Sequence, residues 1–345
     1  MHNKNYFIKV HGHSCLEFRS NKTCIIFDPW LSGSAYWRSW WNFPEPTPLE
    51  SIINDISSCD EVFIFITHLH WDHFHGPTLR KLYKKIPDLK FLISRVPEKR
   101  LKNDLFEVLD NNIQVIEINH AQKLNVNPNL SLQVFLSGPF LTDSAILIQH
   151  RNDFILNIND SKQQKLMANH ILSSIGDGNL KAMLRSHASA NSRICIKNRN
   201  GSEKENNDKS KEEYSREFLN AALFYKPKVA IPFASNMCYL HKDTFAYNNH
   251  SNTSDLLYKY FESSKEFKNI NVQLVLPGEV LELESLESTT NEYSRNQLFS
   301  QRENELTKYR NKFLKKLERS EFLQQNTSFS EKIILKYFKF IFSTT

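Results

Sequence analysis

Glycine is scarce in this 345-residue chain, with eight in all. That excludes a collagen-like or glycine-rich low-complexity architecture and gives weight to each glycine beside a motif. The five cysteines, Cys15, Cys24, Cys59, Cys195 and Cys238, are odd in number and scattered, and no Cys-x-x-Cys occurs. The spacing excludes a disulfide framework and an all-cysteine zinc or iron–sulfur site, and fits reduced thiols in a cytoplasmic protein. No Cys-x-His pair is repeated downstream, so these residues offer no ligands for a Rieske [2Fe–2S] cluster. No run is apolar and long enough to span a bilayer, the N-terminal stretch MHNKNYFIKVHGHS lacks a charged-then-apolar signal design, and no solenoid-length repeat is visible. A net charge of +6 suits a small-molecule anionic substrate and does not argue for nucleic acid.

What is present is an ordinary globular composition, 40% hydrophobic and 24% charged. In the first half, β-rich runs alternate with amphipathic segments. Strands are expected at Tyr6–Val10, Thr23–Phe27, Glu61–Ile66, Leu89–Ile93 and Ile113–Ile116. Helices are expected over Pro48–Ile56, from Pro77 onward, where proline takes the favoured first position, and over Glu98–Leu109. The centre reads as consecutive strands, Leu130–Leu136, Ala145–Gln149 and Phe154–Ile158. A helix (Gln163–Leu172), a strand (Lys181–Leu184), a polar loop (Arg199–Lys211), a helix (Glu213–Phe224) and a strand (Val229–Pro232) follow, with last strands over Val272–Val280. From about Ser285 the pattern turns to long charged helical periodicity. These elements predict a layered α/β domain over residues 1–284 and a C-terminal helical extension over 285–345.

The densest chemistry is the stretch ITHLHWDHFHG, which begins at Ile66. Four histidines and an aspartate fall within eight positions directly behind an apolar strand. Histidines two apart on an extended chain project into the same space, so His68 and His70 can grip one ion. Asp72 and His73 lie where the chain leaves the strand, and the turn can aim them at a second. Imidazole with carboxylate suits zinc, iron or manganese rather than calcium or magnesium. Gly76-Pro77 then ends the loop and opens a helix, with His75 outside the coordination sphere.

His68, His70, Asp72 and His73 in H-x-H-x-D-H spacing resemble the signature of the metallo-β-lactamase superfamily. The resemblance implies a four-layer αββα sandwich with one or two divalent transition metals, zinc or iron, held between its sheets. It also implies a bridging aspartate after a later strand, Asp160, and a last histidine after a late strand, His241. The usual third histidine has no counterpart between Leu136 and Ser144. Either Asp143 replaces it, or the first metal keeps His68, His70 and Asp160 with water, or the site is mononuclear or degenerate. Phe27-Asp28-Pro29-Trp30-Leu31-Ser32-Gly33-Ser34-Ala35, Trp40-Trp41, Glu45-Pro46, the segment from Thr67 to Leu82, and Pro232-Phe233-Ala234 through to His241 are similar to the metallo-β-lactamase-like part of CMP-N-acetylneuraminate and UDP-N-acetylmuramate hydroxylases. The similarity is patchy over roughly residues 6–282, and those enzymes carry the Rieske domain whose ligands are missing here.

All five tryptophans lie between positions 30 and 71. Trp30 is assigned to the core, while Trp37, Trp40 and Trp41 are expected to wall a pocket that stacks on a ring. Arg38 is expected to be a solvated loop residue, with a contact to a phosphate or carboxylate as the alternative. His13 is expected near the metals, as an early loop is in the superfamily, and His187 is expected to face the cleft. The basic, aromatic stretch Ser330–Phe342 forms an amphipathic helix whose expected use is packing against the domain or a second copy, with a membrane-surface contact as the alternative.

Together these residues predict a metal-dependent hydrolase. In it, a metal-activated water attacks a phosphoryl or carbonyl centre of an anionic, ring-bearing substrate such as a sugar nucleotide. Asp72 and His73 serve in catalysis as well as in binding. The alternatives are a non-haem iron oxygenase-type component acting on an N-acyl amino sugar with an external electron donor, and a catalytically degenerate binding protein.

Overall fold

The computed structural model describes residues 6–86, 88–110, 112–138, 141–188, 209–290 and 292–326. Its elements in chain order begin with β1 (Tyr6–Val10), β2 (Leu16–Ser20), β3 (Thr23–Phe27), β4 (Ser34–Ala35), β5 (Trp40–Asn42), α1 (Leu49–Ile56) and β6 (Glu61–Ile66). There follow α2 (Gly76–Lys85), β7 (Lys90–Ser94), α3 (Arg100–Val108), β8 (Gln114–Ile118), β9 (Lys123–Asn127), β10 (Leu130–Gly138), β11 (Leu141–His150) and β12 (Asp153–Asn159). Then come α4 (Lys165–Ile175), β13 (Asn179–Ser186), α5 (Lys211–Tyr225), β14 (Val229–Phe233), β15 (Met237–Cys238), α6 (Ser254–Ser263) and β16 (Val280–Glu282), and finally α7 (Glu292–Ser300) and α8 (Arg302–Asn326).

Two large sheets form, in the orders β16-β1-β2-β3-β6-β7-β8 and β14-β13-β12-β11-β10-β9. Their facing sides bury one continuous core, which includes Ile8, Phe18, Phe27 and Phe65 from the first sheet and Leu132, Ile146, Ile155 and Leu184 from the second. The outer face of the first sheet packs Ile26, Ile64 and Phe91 on α1, α2 and α3, through Ile52, Leu79 and Leu105. The outer face of the second packs Phe154, Leu156 and Met183 on α4, α5 and α6, through Ile171, Phe218 and Leu257. The expected αββα sandwich is thus present. It explains why β3 and β6 read as unbroken apolar runs: a strand covered on both faces has no polar side to alternate with. Each fully buried Leu, Ile or Phe contributes about 1.5–3 kcal/mol.

The run Val272–Val280 departs from expectation. Among the described residues it makes one isolated bridge, Ala230 to Val272, and turns at Gly278 (φ +92°) before β16 begins at Val280. Pro277 and that left-handed glycine break the extended chain its apolar residues suggest. The compact unit that carries the sheets runs through Ser300, and a second unit, containing α8, begins at Gln301. The polar loop over 199–208 and the amphipathic stretch Ser330–Phe342 lie outside the described residues. No described helix is long and apolar enough to cross a membrane.

Candidate metal centre

The centre lies where β3, β6 and β12 end on the same rim of the sandwich. Asp28 follows β3, Thr67 and His68 follow β6, and Asn159 closes β12. Asp28 and Asn159 turn the chain in left-handed conformations, φ +44° and +54°, which Asp and Asn tolerate better than other non-glycine residues. The turns bring them together from opposite sheets, Asn159 Nδ2 donating to Asp28 Oδ2 at 2.5 Å. The same carboxylate accepts from the Thr67 backbone N–H at 2.8 Å and hydroxyl at 2.7 Å, and from His73 Nδ1 at 2.9 Å. Asp28 therefore fixes the ring of His73, leaving its Nε2 to face inward.

His73 Nε2 lies 3.2 Å from Asp160 Oδ2 and 3.5 Å from Asp72 Oδ2. Asp72 also meets His13 Nε2 at 3.2 Å and accepts from the Tyr36 hydroxyl at 2.7 Å. His68 Nε2 faces His70 Nδ1 at 2.9 Å, and its other nitrogen contacts the Thr67 hydroxyl at 3.0 Å. Ligand atoms of His68, His73 and Asp160 lie within 4.8 Å of one another, as do those of His13, Asp72 and His73. Gly12 permits the close approach of the early loop. A Cβ there would sit 3.0 Å from the Asn42 Oδ1 that accepts from the His13 N–H.

The electrostatics are those of a cation site. Burial pushes the His68 pKa down, and the neighbouring His73 and His70 push it further, so the ring is neutral as a ligand must be. Burial alone would raise the Asp72 pKa, yet His73, His13 and Tyr36 hold it well below the usual carboxylate range. Burial likewise opposes charge on His73, but Asp72, Asp28 and Asp160 win and raise its pKa well above 6.5. Three carboxylates around one imidazole are an arrangement that attracts positive charge. The donor set fits a divalent transition metal: two atoms each about 2.0–2.2 Å from one ion are at most about 4.4 Å apart, as are His73 Nε2 with Asp160, His73 Nε2 with Asp72 and His13 Nε2 with Asp72.

Above the cluster opens a cleft of about 620 Å³, lined by His70, Asp72, Asp143 and Asp160, by Tyr36, Trp37 and Trp40, and by Lys162, Arg185, Tyr214 and Glu217. Burial raises the Asp143 pKa; His70 opposes the shift and Asp160 adds to it. The expected alternative to the third histidine therefore stands in the cleft beside His70. Trp40 packs on Tyr36 at 4.5 Å between ring centroids, and Trp37 on Trp71 at 4.4 Å. Tyr36, Trp37 and Arg38 are all left-handed, φ +48° to +73°, a strained run of the kind that accumulates at functional loops.

Three expected residues are placed differently. Trp41 is buried, pairs with Cys238 between β5 and β15, and donates its indole N–H to the Arg38 carbonyl. It is held in the core, because the short third sheet, β15-β5-β4, turns alternate side chains inward. His241 belongs to neither close grouping; its Nδ1 lies 3.5 Å from Asp243 Oδ2. His187 is buried beside the cleft, its N–H donating to Ser235 Oγ at 3.0 Å and its carbonyl accepting from Asn252 at 2.9 Å. Asp28, Tyr36, Asn159 and Arg185 were missed as site residues. Only Asp28 left a signal, as an aspartate-proline pair behind an apolar strand.

No family model matches the chain. Over 158 residues, 43% of the chain, it is 31% identical to the cytidine monophosphate-N-acetylneuraminic acid hydroxylase of Xenopus laevis, and the match covers 24% of that protein. Over 153 residues, again 43% of the chain, it is 32% identical to the inactive cytidine monophosphate-N-acetylneuraminic acid hydroxylase of Homo sapiens, covering 29% of it. The chain thus spans about a quarter of the length of the curated relatives it matches. Among solved structures, one described as a possible metal-dependent hydrolase from Veillonella parvula DSM 2008 superposes with a TM-score of 0.55 at 12% identity, covering 81% of this chain and 100% of that one. An isothiocyanate hydrolase from Delia radicum gut bacteria gives 0.51 at 12% identity, over 79% and 98% of the two chains. A mutant of CmlA beta-hydroxylase gives 0.50 at 17% identity, over 79% and 52%. The sandwich and these likenesses agree on the fold: the chain adopts a metallo-β-lactamase-like fold, and part of it is similar in sequence to part of the CMP-N-acetylneuraminic acid hydroxylases.

Proposed function

We propose that this domain is a metal-dependent hydrolase acting on an anionic, ring-bearing substrate such as a sugar nucleotide. The observation that supports it most is the convergence on His73 Nε2 of Asp72 and Asp160, carboxylates 88 positions apart in sequence, 160 less 72. His68, His70, Asp72, His73 and Asp160 would hold one or two zinc or iron ions, with Asp143 completing the His70 side. When bound, such an ion lowers the pKa of water from about 15.7 towards about 7 and polarises a carbonyl or phosphoryl oxygen. The protein's own groups do the rest. Asp28 keeps His73 in one orientation, Tyr36 keeps Asp72 in one orientation, and Asp72 orients the attacking water. The wall of Tyr36, Trp37 and Trp40 stacks on the ring and excludes solvent. Metal analysis, with phosphodiesterase and lactonase assays of wild type and His70→Ala, tests this. Equal metal content and equal turnover in the two proteins would refute it.

The second reading is a non-haem iron oxygenase component using an external electron donor. It is favoured by the sequence likeness to hydroxylases and by the fold likeness to CmlA beta-hydroxylase. Iron in the purified protein, with oxygen uptake coupled to an N-acyl amino sugar, distinguishes it from hydrolysis.

A further inference from the structure

Besides its aromatic wall and its carboxylates, the cleft lining holds two cations, Arg185 and Lys162, that form no ion pair among the described residues. Arg185, near the end of β13, stands in register with Asn159 on β12, the residue before Asp160. Its half-buried side chain reaches the cleft, where exposed Lys162 on the loop after β12 also contributes to the lining. The carboxylates whose fields it feels are Glu217 and Asp160. Glu217 is ion-paired with Lys209, and Asp160 with His73. Among the described residues the Arg185 guanidinium makes no ion pair or side-chain hydrogen bond with either, or with any other group. A planar fork of five donors, partly withdrawn from water and unanswered by protein, is costly unless something else answers it. A carboxylate or phosphate answers it with two parallel hydrogen bonds.

A chain of contacts links the aromatic wall to the His/Asp cluster and to the strand that carries Arg185. Tyr36, part of the aromatic wall, touches Asp72; Asp72 touches His73; His73 touches Asp160; and Asp160 follows Asn159, the residue in register with Arg185. We propose that Arg185, assisted by Lys162, is the subsite for an oxyanionic group of the substrate. The substrate's ring then rests on the aromatic wall, and the reacting bond lies over the His/Asp cluster. The substrate is therefore a molecule that presents an oxyanion to Arg185 as well as a ring to the aromatic wall. This deepens the hydrolase reading and rests on it for the position of the reacting bond; the anion subsite itself does not require metal.

The test is calorimetric titration of the full chain with inorganic phosphate and, separately, acetate, for wild type, Arg185→Gln and Arg185→Lys, with metal content measured on each sample. Wild type is expected to bind phosphate, acetate or both, and the stronger of the two names the group. Arg185→Gln should weaken that binding by about tenfold or more at unchanged metal content, the loss expected for a charged hydrogen bond. Arg185→Lys should fall between, because a point charge lacks the fork. Affinity in Arg185→Gln within about twofold of wild type would mean the anion sits on the metal or elsewhere and would overturn the subsite, as would a wild type that binds neither anion. If Arg185→Gln fails to fold, wild-type affinity in Arg185→Lys overturns it instead. Wild type without metal defeats the hydrolase reading alone, since the titration still scores Arg185 in that sample.

Discussion

Asn159 and Asp28, 131 positions apart, meet at 2.5 Å from the ends of strands in opposite sheets, and the same Asp28 oxygen holds the His73 ring. The contact ties the closing of the sandwich to the geometry of the metal centre.

Replacing Asp28 with alanine is accordingly expected to weaken metal binding by about 10–100-fold, the usual cost of losing a partner that orients a ligand histidine. It should also destabilise the fold by roughly 1–3 kcal/mol for each buried donor left unanswered. Competition with a chromophoric chelator reads the first effect and urea unfolding the second. A variant with wild-type metal affinity would show that Asp28 has no positioning role.

His73→Ala removes the imidazole common to both groupings and should cost more, above about 100-fold in metal affinity. Asp160→Ala is expected to behave similarly. Elemental analysis after dialysis checks both, and full metal occupancy in either variant would contradict the assignment.

His75, buried and in contact with the Thr78 hydroxyl at 2.8 Å ahead of α2, has its pKa pushed down to about 4, chiefly by burial. Its folded pKa lies below the unfolded value of about 6.5, so the unfolded chain binds more protons between these values. The stabilising contribution is complete above about pH 6.5, is lost as the pH falls towards 4, and levels off below. About 2.5 pKa units correspond to an upper limit of roughly 3 kcal/mol. Unfolding free energy measured against pH should fall across that window and fall less in His75→Gln; parallel curves would exclude His75 as a source.

Phe65 stacks on Phe27 at 5.6 Å in the core between the sheets. Phe65→Ala should cost about 3–5 kcal/mol and, because the side chain lies in the core and belongs to neither ligand grouping, leave metal stoichiometry intact in the folded fraction. Denaturant midpoints with metal analysis decide this.

Most of what sequence alone determined about this protein is local. β1, β3 and β6 occupy the expected residues, because a strand's apolar run and its flanking turns are consecutive in the chain. The H-x-H-x-D-H loop was legible for the same reason: its candidate ligands lie within six positions, and the alternation of an extended chain aims His68 and His70 together. Val272–Val280 misled, since its apolar residues are interrupted by Pro277 and the left-handed Gly278 and pair only at Val272 and Val280 among the described residues.

What only the tertiary structure decided is every relationship that crosses between elements. His73 meets Asp28 across 45 positions, and Asp72 meets Tyr36 across 36. Trp41 turns inward while Trp40, its neighbour, lines the cleft. Arg185 acquires meaning only beside Asp160, through a parallel register between β12 and β13 that neither strand's sequence encodes. Periodicity records which face of an element avoids water. It carries no information about which distant side chain arrives on the other side, and that is set by how the two sheets close on their common core.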